Sequence, residues 1–165
     1  AKGDKFRKFA QGLTLAKLVQ LANIHLQKLN PRYLVQKCRD DEKSELELEI
    51  MDVYQADTKR SMRTLSGGES FLVSLSLALG LSDLAGRKAQ IESLFIDEGF
   101  GTLDSNTLDI AMTTLENLQA SGKMIGIISH VEALKERIGT QVQVKRLSGG
   151  YSTIEVIPEL ELKEH

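Results

Sequence analysis

Two short apolar runs with a helical stretch between them constrain this chain most. Ile91 to Ile96 and Lys123 to Ile128 have the length and apolar character of strands buried on both faces, as strands of parallel sheets are. Between them, Ser105 to Ser121 carries Leu108, Met112, Leu115 and Leu118 at helical spacing, and Gly122 stands where such a helix stops. Strand and helix alternating in this order predict an α/β fold with a parallel-strand core and helices. In such folds ligands gather beyond the carboxyl ends of the strands.

The flanking segments add a helix and hairpins. Residues 1–30 set Phe6, Phe9, Leu13, Leu18, Leu21 and Leu29 among Lys, Arg and Gln at steps that predict one long amphipathic helix, ending at Asn30-Pro31. It starts in charged sequence without a cap, so an ordinary packed helix and the base of a longer coiled coil both fit it. Arg32 to Arg39 and Glu45 to Tyr54 flank Asp40-Asp41-Glu42-Lys43-Ser44. Leu46, Leu48 and Ile50 alternate there with Glu45, Glu47 and Glu49, which predicts a hairpin with one wet face. Gln55 to Arg63 reads as a polar linker, Phe71 to Leu84 as a deeply buried helix, and Val142 to Leu147 with Tyr151 to Ile157 as a closing hairpin.

A length of 165 residues suits one globular unit, and 41% hydrophobic with 27% charged residues is the composition of a folded chain. The 21 Lys and Arg against 23 Asp and Glu leave a formal charge of -2, so any nucleic-acid contact has to be local. Lys59, Arg60 and Arg63 are candidate phosphate contacts, or simply a solvated linker. The lone Cys38 excludes an intrachain disulfide and any multi-cysteine metal site, and it suits a reducing compartment. No stretch approaches about 18 consecutive apolar residues, and Ala1-Lys2-Gly3-Asp4-Lys5 lacks the apolar core of a signal peptide. The expectation is a cytoplasmic chain that is neither membrane-spanning nor exported.

Three local patterns carry chemistry. Asp97-Glu98 ends the first apolar run, where ionised carboxylates lose hydration unless a cation or hydrogen-bond donors replace it. Mg²⁺ suits such oxygens and keeps waters while bridging phosphates, so Asp97 is the candidate metal ligand and Glu98 the candidate base for an attacking water. Two solvated acids at a strand end are the plainer alternative. Ser66-Gly67-Gly68-Glu69 has capping-box spacing before the buried helix, whose N-terminal N–H groups make a phosphate-sized anion site. A plain loop and N-cap also fits, and Leu147-Ser148-Gly149-Gly150 repeats the letters where a hairpin turn explains them. Ser129-His130-Val131-Glu132 reads as a capping box opening a short helix. That would put His130 at the same sheet edge, able to donate to a phosphate oxygen. His25 and His165 carry no functional reading.

Taken in order, these motifs resemble the second half of an ABC-type ATPase head, over residues 60–157. Leu65-Ser66-Gly67-Gly68-Glu69 resembles the signature motif, Leu94-Phe95-Ile96-Asp97-Glu98 the Walker B strand, Gly101-Thr102-Leu103-Asp104 the D-loop, and His130 the switch histidine. Glu69 followed by Ser70-Phe71-Leu72-Val73-Ser74-Leu75, where transporters usually have a Gln and then a basic pair, points to the chromosome-maintenance branch. Leu65 to Leu84 and Ile96 to Asp104 look closest to the SbcC family of ATPases in SbcCD nuclease complexes. SMC heads rank second and a transporter component third.

The resemblance implies residues 1–30 as a coiled-coil base helix and 31–165 as the C-terminal lobe of the head. It implies ATP and Mg²⁺ as cofactors, with Glu98 and His130 catalytic and Asp97 on the metal. Ser66, Gly67, Gly68 and Glu69 would meet nucleotide held by a second copy of the head, with Thr102, Leu103 and Asp104 at the dimer interface. Gly-x-x-x-x-Gly-Lys-Ser/Thr is absent; the single Gly-Lys pair, Gly122-Lys123, is followed by Met124. The isolated chain is therefore expected to be inactive, and ATPase activity to require an N-terminal Walker A half. The implied partners are that half, a second head, an SbcD-like nuclease subunit and double-stranded DNA at the nucleoid, with no membrane. The implied function is ATP-driven head dimerisation that controls DNA processing in repair. The alternative is an SMC-type chromosome-organising head acting as an ATP-dependent clamp or tether.

Overall fold

Pro31 disfavours helical backbone at the residue before it, and the first helix ends there. The computed structural model describes residues 2–38, 47–85 and 92–158. Helix α1 spans Lys2–Leu29, and the Asn30 side chain accepts the Arg32 N–H at 3.1 Å to turn the chain into the first strand. The C-terminal part of α1 buries Val19, Ala22, Leu26 and Leu29, the three- and four-residue spacing of one helical face. The same predicted stripe is not buried near the start, where Phe6, Phe9 and Leu13 are exposed. Packing against neighbours begins only further along the helix.

Strands β1 (Tyr33–Lys37), β2 (Leu48–Asp52) and β3 (Thr58–Ser61) form an antiparallel sheet in the order β1-β2-β3. Val35 stands opposite Ile50, and Ile50 opposite Arg60. Strand β3 replaces part of the predicted linker from Gln55 to Arg63. Its turn closes by a Thr58 N–H to Gln55 carbonyl bond of 3.1 Å, with Ala56 and Asp57 both left-handed at φ 51° and 55°. That geometry matches strand twist, but Ala-Asp lacks the Asn-Gly signature that would announce it. The expected loop Asp40 to Ser44, with Glu45 and Leu46, lies outside the described residues.

Helix α2 (Gly67–Ala85) lies against α1 and buries Leu72, Val73, Leu75, Ser76, Leu79 and Gly80. The two backbones meet where a Cβ on Gly80 would stand 2.6 Å from the Ala22 nitrogen, so only glycine fits that crossing. His25 Nε2 sits 2.6 Å from Asp83 Oδ2, a tie between the two helices. Asn23 bonds both backbone groups of Val35 at 2.9 Å and pins β1 to α1. Val19, Leu26, Tyr33, Val35, Ile50 and Val73 form the shared core.

Strand β4 (Ser93–Asp97) pairs in parallel with β5 (Met124–Ile128), Phe95 opposite Gly126 and Asp97 opposite Ile128. Helix α3 (Ser105–Ala120) connects them and buries Ala111, Met112 and Leu115. The crossover is as predicted, but the expected burial of both strand faces is not observed. Phe95, Met124 and Ile128 are 70%, 60% and 57% exposed, because nothing among the described residues covers that side.

Contacts group the chain into two compact units, Ala1–Ile128 and Ser129–His165. The second contains α4 (Glu132–Lys135) and the antiparallel hairpin of β6 (Gln141–Arg146) and β7 (Ser152–Ile157). Gly149 and Gly150 turn the hairpin with φ of 76° and 81°. Val142, Val144, Ile154 and Val156 share one face of it in register and are exposed.

Candidate functional site

The Ser66-Gly67-Gly68-Glu69 turn is a built capping box. Ser66 precedes α2, its Oγ accepts the Glu69 N–H at 3.3 Å, and Glu69 Oε2 accepts the Ser66 N–H at 2.8 Å. Glu69 Oε1 accepts the Tyr33 hydroxyl. Burial pushes the Glu69 carboxyl up, but bonds from Tyr33 and Ser66 outweigh it and hold the group below the usual carboxylate range. Burial, reinforced by the bond to Glu69, raises the Tyr33 phenol above its ordinary value.

The loop carrying Thr102 and Leu103 packs onto this turn. A Cβ on Gly68 would lie 2.9 Å from the Thr102 carbonyl oxygen, and one on Gly67 3.1 Å from Thr102 Cγ2. Leu103 flanks Gly68, and Asp104 caps α3 by accepting the Thr107 N–H at 3.0 Å and its hydroxyl at 2.6 Å. Those bonds hold the Asp104 carboxyl below its usual range.

Asp97 ends β4 with an exposed carboxylate. Glu98 follows, its N–H bonded to the Ile128 carbonyl at 2.9 Å and its φ at 60°. A left-handed non-glycine residue costs about 1–3 kcal/mol and persists where its surroundings over-determine it. Here Gly99, at φ 97°, makes the next turn with the Phe71 ring against it, and Phe100 is buried with its ring centroid 4.7 Å from that of Phe71. The aromatic pair thus holds the loop carrying Glu98 on the first turns of α2. No cluster of three or more His, Cys, Asp or Glu that could hold a metal occurs among the described residues. An exposed Asp97 nonetheless fits Mg²⁺, which takes one or two carboxylates and completes its shell with water and substrate phosphates.

The first unit therefore brings Ser66, Gly67 and Gly68 against Thr102 and Leu103, with Asp97 and Glu98 entering the same loop. His130 belongs to the second unit and is exposed. It precedes α4 rather than lying in its first turn. The predicted capping box is not formed, because Ser129 Oγ accepts the Val131 N–H at 3.2 Å and Val131 becomes the cap residue without a side-chain bond.

Of the residues behind the turn, sequence reasoning singles out Arg60 but neither Arg32 nor Asp52. Asp52, fully buried, accepts two bonds from Arg32 Nε at 2.9 and 3.0 Å and one from Arg32 Nη2 at 2.7 Å, with Arg60 Nη2 at 3.4 Å. Arg32 holds the Asp52 carboxyl below its usual range, against the opposing effect of burial. A signal was present: Asp52 keeps the inward parity of Leu48 and Ile50, where a carboxylate requires a partner. Arg60 is thereby engaged inside the protein, and Lys59 reaches Glu49 at 3.5 Å, so two of the three candidate phosphate contacts already hold acids.

A family profile described as "SbcC/RAD50-like, Walker B motif" matches residues 38–117, the span that contains Ser66 to Glu69, Asp97, Glu98 and Thr102 to Asp104. The SbcC subunit of the SbcCD nuclease of Pseudomonas aeruginosa is 50% identical over 157 residues, 95% of this chain. The chain belongs to the SbcC family. It spans 13% of the length of that relative and 12% of the corresponding SbcC protein of Rhodobacter capsulatus, to which it is 49% identical over 93% of its own length. Its fold matches part of SMC heads. A structure solved in work on ATP-driven dimerization and DNA-stimulated activation of SMC ATPases superposes with a TM-score of 0.71 at 13% identity, covering 95% of this chain and 93% of that one. The Smc head domain with coiled coil and joint from Pyrococcus yayanosii gives 0.69 at 15% identity, covering 98% and 30%.

Proposed function

We infer that this SbcC segment is the C-terminal half of an ATPase head, which binds and hydrolyses Mg-ATP once joined to an N-terminal Walker A half. The observation that carries the reading is the packing of the signature turn on the D-loop directly after the strained Glu98. In this reading Asp97 holds the metal, directly or through water, and bound Mg²⁺ supplies charge neutralisation at the phosphates. Glu98 orients and deprotonates the attacking water, and His130 donates to a γ-phosphate oxygen. Ser66 and the first N–H groups of α2 offer donors to the γ-phosphate held by a second head. Thr102, Leu103 and Asp104 face that partner. Glu69 serves the same contact through the cap it makes with Ser66.

ATP-driven pairing of heads then gates an SbcD-like nuclease on double-stranded DNA in repair, in the cytoplasm at the nucleoid. Coverage by a missing half accounts for the bare apolar side of β4 and β5. The test is Glu98→Gln in the complete head. The expected result is a stable ATP-bound dimer by light scattering with turnover reduced at least a hundredfold, the scale of losing a general base. Unchanged turnover overturns the role of Glu98. Dimerisation without turnover in the unsubstituted head favours the SMC-type tether instead. Mg-ATP binding by this chain alone, without the Walker A half, overturns the half-head reading.

A further inference from the structure

We propose that Tyr33 is a positioning residue that ties the antiparallel sheet to the signature turn and so sets where Ser66 meets nucleotide. This rests on reading Ser66 to Glu69 as the signature of an ATPase head. The connection is continuous. Asp52 on β2 holds Arg32 and Arg60, and the two guanidinium groups lie 5.1 and 5.4 Å from the centroid of the Tyr33 ring. The ring is 1% exposed, and its hydroxyl donates to one oxygen of Glu69 while the other takes the Ser66 N–H at 2.8 Å. One carboxylate therefore joins an element 36 residues upstream to the residue at the mouth of α2.

Each link limits movement. Stacked guanidiniums keep the ring from tilting, and the fork from Arg32 fixes Asp52 in two directions. The half-buried Glu69 depends on its donors, because an ionised carboxylate that loses one must take up water or swing away. Either response releases the Ser66 N–H and widens the range of positions open to the Ser66 hydroxyl and the α2 N-terminus. Catalytic contacts are steep in position, with about 1 Å of misplacement costing up to about a hundredfold. The sheet thus holds the turn in one geometry before a second head arrives.

Tyr33→Phe in the full-length chain keeps the ring and removes the hydroxyl. The expected result is a roughly tenfold fall in turnover and a matching rise in the ATP concentration needed for dimerisation, with Mg-ATP affinity of the unpaired head unchanged. In a Glu69→Ala background the same substitution should add little, because its target is gone. Amide hydrogen exchange at Ser66 and Glu69 should rise in Tyr33→Phe while the interior of α2 stays protected. Exchange at the turn that does not change overturns the proposal without reference to ATP, even where the head reading itself fails. Faster exchange with unchanged turnover overturns it while leaving the head reading intact. Equal losses in both backgrounds, or weaker nucleotide binding by the unpaired head, also overturn it, since they mark a general structural role.

Discussion

The α1–α2 crossing and the β4–β5 pair are both rich in apolar residues, yet one is sealed and the other is open. At the crossing, Ala22 and Leu26 are fully buried and Gly80 brings the backbones together. Along β4 and β5, Phe95, Met124 and Ile128 face outward. Apolar character alone thus separates neither region. What differs is whether the described residues supply a covering surface.

Core truncation should show the contrast at its largest. Leu26→Ala removes buried methyl groups and should cost about 2–5 kcal/mol, read from the urea midpoint at constant slope. A Phe95→Ala loss of the same size in this chain would break the comparison. Next, Gly80→Ala forces a Cβ toward the Ala22 backbone and should cost about 1–3 kcal/mol by the same measurement. Tolerance of that change would mean that the helices can move apart.

Acid sensitivity sharpens the contrast further. Asp52, Glu69 and Asp104 have folded-state carboxyls held below their ordinary values of 3.8, 4.5 and 3.8. Groups depressed on folding contribute stability that is present above the unfolded value and is lost as pH falls through the folded one. Thermal midpoints should therefore fall as pH drops below about 4, and Asp52→Asn should flatten part of that fall. A flat profile in the unsubstituted chain would contradict the Arg32–Asp52 fork as an ionised pair. The smallest expected effect is Phe95→Ala in this chain, within about 0.5 kcal/mol. In the complete head the same change should cost about 3 kcal/mol or more, if a second half covers that face.

Much of the candidate site was legible because its signals are local. The Ser66 and Glu69 spacing announced a reciprocal cap, and the run before Asp97 announced a strand ending in acids. The same reasoning failed at Ser129 to Glu132, where identical spacing produced no box because the serine bonded two residues on. It also passed over β3, whose Ala56-Asp57 turn lacks the letters that usually mark one. Glu98 carries no letter that predicts a left-handed φ; it enters a loop that the packing of Gly99 and Phe100 on Phe71 holds in place.

By itself the sequence determined the periodicities, the Ser66–Glu69 cap and the order of strand, helix and strand, since these depend on residues within a few positions of each other. The tertiary structure alone decided that Tyr33 meets Glu69, that Asp52 takes both Arg32 and Arg60, and that Phe95 stands bare. Those outcomes depend on which surfaces meet in space. A carboxylate or an aromatic ring has the same letter whether a partner comes against it or not.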